Sequence, residues 1–312
     1  MSHAADDSAL IHFTEVGPRD GLQNLTEALP TESKLVLVRG ALDAGCDLVE
    51  ATSFVSPKWV PQLADAEALM GQLMDQDGAA AVERIRVLVP NRTGLERALA
   101  AGARRVIVNL GVTDGFNRHN LNRSVEESLG EIGEVAQAAA RAGCAWDASL
   151  SVAFGCPYEG RVDPRRVAEL AGRLADLGAL ELSVADTIGV AGPLQVEELI
   201  RLVAERVPLE RLALHLHDTR GMGLANALAG YRLGVRRFEG SVGGIGGCPF
   251  APRSTGNVCS EDLLHLLQRL GATSRVSLAA LCSLAERLQE LLGHELPGRL
   301  YRAGEWEAAV PV

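Results

Sequence analysis

With 312 residues, 47% of them hydrophobic and 22% charged, the chain has enough apolar material for one large core. Its formal charge of −10 speaks against non-specific nucleic-acid binding and against a basic membrane-surface role. No apolar run approaches the ~18–20 residues of a membrane span, so no membrane partner is expected.

The cysteines at positions 46, 144, 156, 248, 259 and 282 are scattered without CxxC spacing, which argues against a disulfide framework and a structural zinc site. The opening MSHAADDSAL has neither a basic nor an apolar signal region. A reducing, cytoplasmic setting is the expectation.

Taken in order, short β-branched apolar runs alternate with longer amphipathic segments. Strands are predicted at Ile11–Val16, Leu48–Thr52, Ile85–Val89, Arg105–Leu110, Trp146–Ala153, Ala179–Val184, Leu212–His217 and Arg236–Ser241. Helices are predicted between them at Glu32–Ala44, Gln62–Gln76, Gly94–Ala101, Val125–Ala142, Pro164–Leu177, Pro193–Arg206 and Leu224–Leu233. Two more follow, Ser260–Leu270 and Leu278–Leu292. Thr31, Ser124 and the Asp163–Pro164 pair are helix starts, and Gly45, Gly102, Gly143, Gly178 and Gly234 are helix stops. Eight such β-then-α units predict an α/β fold, a (β/α)8 TIM barrel over 8–271, with 272–312 as a helical C-terminal extension packed on it and a loose tail from Arg302. The alternative is an open doubly wound sheet. Against it, no G-x-G-x-x-G follows the first strand, and polar residues close nearly every strand.

In a barrel, the carboxyl ends of the strands carry the active site. The seventh run ends in LHLHD, and side chains two apart on a strand share a face, so His215 and His217 point into one space. The first run leads into GPRDG, with Arg19 and Asp20 in a tight turn. The second carries Glu50 and the sixth is followed by Asp186. After the eighth lies SVGGIGGCPFAPRSTGNV, a candidate mobile lid with Cys248 near its middle as a proton donor or acceptor and Asn257 near its end. Asp20, His215, His217 and Asn257 together suit a divalent ion, Mg²⁺ or Mn²⁺, with Zn²⁺ as runner-up. Such an ion stabilises negative charge on oxygen, and Arg19 beside it can hold a second oxyanion. Lys34 and Lys58 are the chain's lysines; neither sits where Schiff-base chemistry would need it, which favours a metal-dependent aldol-type reaction.

From Phe13 to Gly271 the chain resembles the 3-hydroxy-3-methylglutaryl-CoA lyases, within the broader family of metal-dependent barrel lyases and synthases. The resemblance is carried by EVGPRDGLQN (15–24), EATSFVSPKWVPQ (50–62), GCPYEG (155–160), ADTIGV (185–190), the HxHDT segment, GGCPFA (246–251) and GNVCSED (256–262). It implies that Asp20, His215, His217 and Asn257 hold the metal and that Arg19 stabilises a thioester enolate. It also implies that Cys248 protonates that enolate, releasing acetyl-CoA and a keto acid. Glu50 and Asp186 match acidic residues tied to activity. A homodimer, an acyl-CoA substrate and a place in leucine degradation and ketone-body formation belong to the same implication.

Arg220 departs from the family, which commonly carries an aromatic there; Pro252, Arg253 and Cys259 stand where smaller residues are usual. Arg220 is either a contact for a substrate with an extra or displaced carboxylate or a surface residue. Citramalyl-CoA or a longer branched 3-hydroxyglutaryl-CoA is therefore an alternative substrate. A condensing synthase and a catalytically silent scaffold are the competing classes.

Overall fold

The computed structural model of the chain describes residues 9–26, 28–247 and 256–306. Among them the strands are β1 (His12–Glu15), β2 (Leu48–Ser53), β3 (Ile85–Leu88), β4 (Arg105–Gly111), β5 (Ala145–Ser151), the two-residue pair β6 (Gly155–Cys156) and β7 (Gly160–Arg161), β8 (Leu182–Asp186), β9 (Leu212–Leu216) and β10 (Arg237–Gly240). All but β6 and β7 pair in parallel and close in the order β1-β10-β9-β8-β5-β4-β3-β2. The sheet is a closed (β/α)8 barrel, and the open-sheet alternative falls. Four of the barrel strands, β2, β3, β8 and β9, are buried at every residue and the other four at most of theirs, so the runs read as nearly continuous apolar stretches rather than as alternating ones.

The connecting helices are α1 (Thr31–Asp43), α2 (Ala66–Val82), α3 (Arg92–Ala100), α4 (Asp114–Leu121), α5 (Val125–Arg141), α6 (Pro164–Asp176), α7 (Pro193–Ala204) and α8 (Gly223–Arg232). After β10 come α9 (Ser260–Arg269), α10 (Leu278–Leu292) and the short α11 (Leu300–Ala303). Ser124 starts α5 through a reciprocal cap: its hydroxyl accepts the Glu127 N–H at 3.2 Å and Glu127 accepts the Ser124 N–H at 2.7 Å. Asp163 caps α6 by accepting the Arg165 N–H at 2.9 Å.

Four local expectations are corrected. Thr31 is the first helical residue rather than the cap; its hydroxyl donates instead to Asp65 on the way into α2, at 2.7 Å. The α2 helix begins later than expected, because Pro61–Leu63 form a separate 3₁₀ turn, and runs on to Val82 across a non-helical Gly78. The α4 helix was not anticipated: it is short and polar, and its start is marked only by Thr113, which accepts the Phe116 N–H at 3.3 Å. Arg302, expected in a loose tail, lies in α11.

The extension shares the barrel's core. The α10 helix lays Leu281, Leu284 and Leu288 against it, and Gly40 on α1 makes room: a Cβ there would meet Leu284 Cδ1 at 2.4 Å. Beyond α10, the Gly298 N–H donates to the Gly243 carbonyl at 2.9 Å and Asp262 accepts the Leu300 N–H at 2.8 Å. The end of the chain thus braces the loop that follows β10, on the same face as the site.

Candidate metal centre

The β1 strand runs straight into one turn of π-type helix, Gly17–Gly21, where a tight turn was expected. The Val16 carbonyl accepts from three successive amides: Arg19 at 3.1 Å, Asp20 at 2.7 Å and Gly21 at 3.3 Å. Single π turns are rare and recur at functional sites. This one swings Arg19 and Asp20 over the barrel mouth, toward the end of β9.

His215 on β9 and His217 just past it meet Asp20 there. The two Nε2 atoms are 3.2 Å apart, and Asp20 Oδ2 lies 3.7 Å from that of His215 and 4.0 Å from that of His217. One ligand atom from each residue falls within 4.8 Å of the others. Asn257 completes the group. It forms a bridge with the backbone of His217, held by the Asp218 N–H to Gly256 at 2.7 Å and the Val258 N–H to Leu216 at 2.9 Å. Its side-chain amide donates to Asp20 Oδ2 at 3.0 Å, while its Oδ1 is buried with no donor.

Asp20 and His217 are held in the forms a cation needs, whereas His215 would give up a proton to one. Burial would raise Asp20, but Arg19, the two imidazoles and the Asn257 amide outweigh it and lower the carboxyl to about 2. Burial and the neighbouring His215 push His217 down to about 3, so it keeps a free lone pair. His215 moves upward: burial opposes the charge, but Glu239 accepts from its Nδ1 at 2.9 Å and prevails. A carboxylate can only accept, so Nδ1 carries the proton and Nε2 faces the pocket. Two imidazole lone pairs, a carboxylate oxygen and an orphaned amide oxygen in one small space fit a divalent ion.

Arg19 stands beside this group. Its Nε and Nη2 contact Glu50 Oε1, and its Nη1 donates to Asp20 Oδ1 at 2.5 Å and to Gln23 Oε1 at 3.5 Å. Four of its five N–H donors are engaged, leaving one for a ligand. Arg19, Asp20, His215 and His217 keep 6–9% of their surface, so they form the floor of an accessible site.

Glu50 is wholly occupied between Arg19 and Arg86, which fits holding a guanidinium better than moving a proton. Asp186 accepts the Val190 N–H at 2.9 Å and the Ala191 N–H at 3.0 Å and so shapes the loop after β8; burial raises its pKa. Arg220 is exposed, and its Nη1 donates to the carbonyls of Ile188 at 2.7 Å and Gly189 at 3.0 Å, pinning that same loop. Cys248, Pro252 and Arg253 lie outside the described residues. Lys34 is tied to Asp65 and Gln62 on the barrel's outside, and Lys58 is exposed, so neither approaches the site.

Sequence reading missed what lies beneath. Arg86 on β3 is fully buried inside the barrel, where aliphatic layers are usual. It donates to Glu50 Oε2 at 2.6 Å, to Glu239 Oε1 at 2.8 Å and to Glu181 Oε1 at 3.3 Å, with Asp147 at 3.7 Å. The one signal was a charge inside an apolar run, IRVLV.

Glu15 was missed as well. It accepts from Gly17 N–H at 2.7 Å, Val242 N–H at 2.8 Å and the Ser260 hydroxyl at 2.6 Å, tying the π turn to both ends of the loop. Burial lifts its pKa, and that of Glu261, to about 7. At His217 the sign is opposite, but at these two carboxyls the folded state binds more protons than the unfolded chain between about pH 4.5 and 7. Stability falls as pH rises through that window, by about 3 kcal/mol for each group. Urea unfolding at pH 5 and pH 8 is expected to register Glu15's share of this loss as the difference between the protein and a Glu15→Gln variant. Glu15→Gln, which keeps the size and an acceptor oxygen, is expected to remove about half of it; an unchanged loss would contradict the assignment.

A parallel barrel with a carboxylate, two imidazoles and a guanidinium gathered at the carboxyl ends of its strands belongs to the class of (β/α)8 enzymes with a cation-ready mouth. Within that class the chain belongs to the HMGL-like family, whose model matches residues 10–288. It is 41% identical over 300 residues to the (R)-citramalyl-CoA lyase of Chloroflexus aurantiacus, covering 94% of this chain and 95% of that one. The crystal structure of the Bacillus subtilis HMG-CoA lyase superposes with a TM-score of 0.91 at 40% identity, covering 95% of this chain and 98% of that one. An HMG-CoA lyase from Acinetobacter baumannii, solved with coenzyme A and 3-methylmalate, gives a TM-score of 0.91 at 35% identity over the whole of both chains.

Proposed function

We propose that the protein is a divalent-metal-dependent carbon–carbon lyase that cleaves 3-hydroxy-3-methylglutaryl-CoA to acetyl-CoA and acetoacetate. The observation that carries this is the convergence of Asp20, His215 and His217 within 4.8 Å, next to Arg19, in a chain of this family. Asp20, His215, His217 and Asn257 would hold the ion, and their two oxygen and two imidazole donors suit Mg²⁺ or Mn²⁺. When bound, it supplies a Lewis acid that favours the ionised form of the substrate's tertiary hydroxyl.

The remaining steps fall to the chain. A base takes the hydroxyl proton, the oxygen lone pair forms the new ketone, and the C2–C3 bond breaks, its electron pair passing to the thioester as an enolate. Arg19 faces that developing oxyanion with its uncommitted N–H. Cys248 returns a proton to C2, in keeping with its place in GGCPFA. Glu50 holds Arg19, while Asp186 and Arg220 shape the loop after β8. Arg220 also bears on the choice of acyl group through that loop. The same reading takes the protein as a cytoplasmic homodimer. Among the described residues no helix is long and apolar enough to cross a membrane.

A second substrate is favoured by the likeness to the citramalyl-CoA lyase. Citramalyl-CoA lacks one methylene between the hydroxyl-bearing carbon and the carboxylate, a difference worth about 10–200-fold in kcat/KM. A panel of branched 3-hydroxyacyl-CoA thioesters with Mg²⁺ or Mn²⁺ tests both readings. Acetyl-CoA release is expected, fastest from the methylglutaryl thioester; a faster citramalyl thioester would move the assignment to that substrate. No cleavage of any thioester would overturn the lyase reading.

A further inference from the structure

The geometry points to Arg86 as a positioning residue that sets Arg19 and His215 relative to one another from beneath the site. The inference rests on the metal-site reading above and extends it to a residue that cannot touch substrate, because Arg86 has no accessible surface.

The contacts form a closed circuit. His215 Nδ1 meets Glu239 Oε2 at 2.9 Å; Glu239 Oε1 accepts from Arg86 at 2.8 Å; Arg86 reaches Glu50 Oε2 at 2.6 Å; Glu50 Oε1 holds Arg19. Arg19 then meets Asp20 Oδ1 at 2.5 Å, and Asp20 Oδ2 returns to His215 Nε2 at 3.7 Å. Strand register builds the lower half: Glu50 pairs with Arg86 across β2 and β3, and Glu239 pairs with His215 across β10 and β9. The β2 strand carries a bulge between Glu50 and Thr52, a device that re-aims a side chain beside active sites.

Both carboxylates depend on Arg86 in a way no aliphatic residue could replace. Glu239 fixes the His215 tautomer only while its second oxygen is held away. Glu50 presents one oxygen to Arg19 while Arg86 takes the other. The guanidinium spans two carboxylates at fixed angles, whereas an ammonium is a point charge with no such fork. The circuit holds two arginines against three carboxylates when His215 is neutral. Loss of Arg86 would leave Glu50 and Glu239 repelling each other in the barrel's interior.

The competing account is that Arg86 merely neutralises a buried acidic cluster with Asp147 and Glu181. Arg86→Lys separates the two, read by Mn²⁺ affinity from electron paramagnetic resonance without substrate, by kcat and KM, and by the thermal midpoint. Arg86→Lys is expected to weaken Mn²⁺ about 10-fold or more, within the 10–100-fold range for groups behind metal ligands. It should lower kcat with KM changed less than about 3-fold, since a displaced oxyanion donor acts in the transition state. A lower thermal midpoint with Mn²⁺ affinity and kcat intact would overturn the inference. If Arg86→Lys does not fold, Glu239→Gln carries the same expectation for Mn²⁺, and unchanged affinity there overturns it equally. Asp20→Ala is the control. If it still binds Mn²⁺ as the unaltered protein does, the metal-site reading falls and takes this inference with it. If it loses Mn²⁺ while Arg86→Lys and Glu239→Gln keep it, only the positioning role is lost.

Discussion

Asp20→Ala is expected to lower metal-supported acetyl-CoA release by about 10⁴-fold, with loss of detectable Mn²⁺ binding. A metal that stabilises charge on oxygen contributes several kcal/mol to the transition state, and each 1.4 kcal/mol or so is a factor of ten. Among the described residues Asp20 is the one carboxylate that faces both imidazoles, at 3.7 Å and 4.0 Å, and its other oxygen anchors Arg19 at 2.5 Å. Removing it therefore takes the negative charge from between the imidazoles and leaves the guanidinium held by Glu50 alone on its charged side. His217→Ala should approach the same loss by a different route, since it deletes a neutral donor and leaves Arg19 in place. Equilibrium dialysis against Mn²⁺ alongside the thioester assay checks both. Wild-type turnover in either variant would remove these side chains from the reaction.

The sequence displayed the rim of this barrel better than its floor. His215 and His217 were legible because a two-residue spacing on a strand fixes a shared face whatever the rest of the chain does. Asp20 and Arg19 were legible by position, at the carboxyl end of the first strand. Their approach to the histidines depends on a π turn, three of whose hydrogen bonds converge on the Val16 carbonyl and which leaves no mark in GPRDG beyond two glycines.

Arg86, Glu239, Glu181 and Asp147 were not legible as a group. They come from β3, from β10, from just before β8 and from β5, and only closure of the barrel makes them neighbours. Read singly, an arginine in IRVLV or a glutamate in RFEG passes for a strand residue at an edge. Polar residues in barrel strands stop looking like edge markers once the topology is closed, because a closed sheet has no edge. Helix α4 was hidden for a related reason. It has one buried aromatic, Phe116, and a buried Asn117 bonded to the Gly111 and Thr113 carbonyls at 2.5 Å and 2.8 Å, so hydrogen bonds rather than an apolar stripe hold it.

Arg19→Met is expected to lower kcat by about 10²–10³-fold, the usual cost of one oxyanion donor, while Mn²⁺ affinity changes much less. The side chain has two faces of engagement. Glu50 and Asp20 draw its charge in, which holds its pKa above the ordinary arginine value despite burial, so it stays cationic at every working pH. Its remaining N–H is the donor that the proposed role assigns to the developing oxyanion. Methionine fills a similar volume without donors, so packing under the π turn is kept and the electrostatic effect is isolated. Arg19→Lys should recover little, because an ammonium cannot contact Glu50 and Asp20 and still offer a donor in the same plane. The diagnostic is the split between parameters. A fall in kcat with near-normal Mn²⁺ binding assigns Arg19 to the enolate, whereas parallel loss of both would mean that it serves Asp20 alone and that the oxyanion is held by another group.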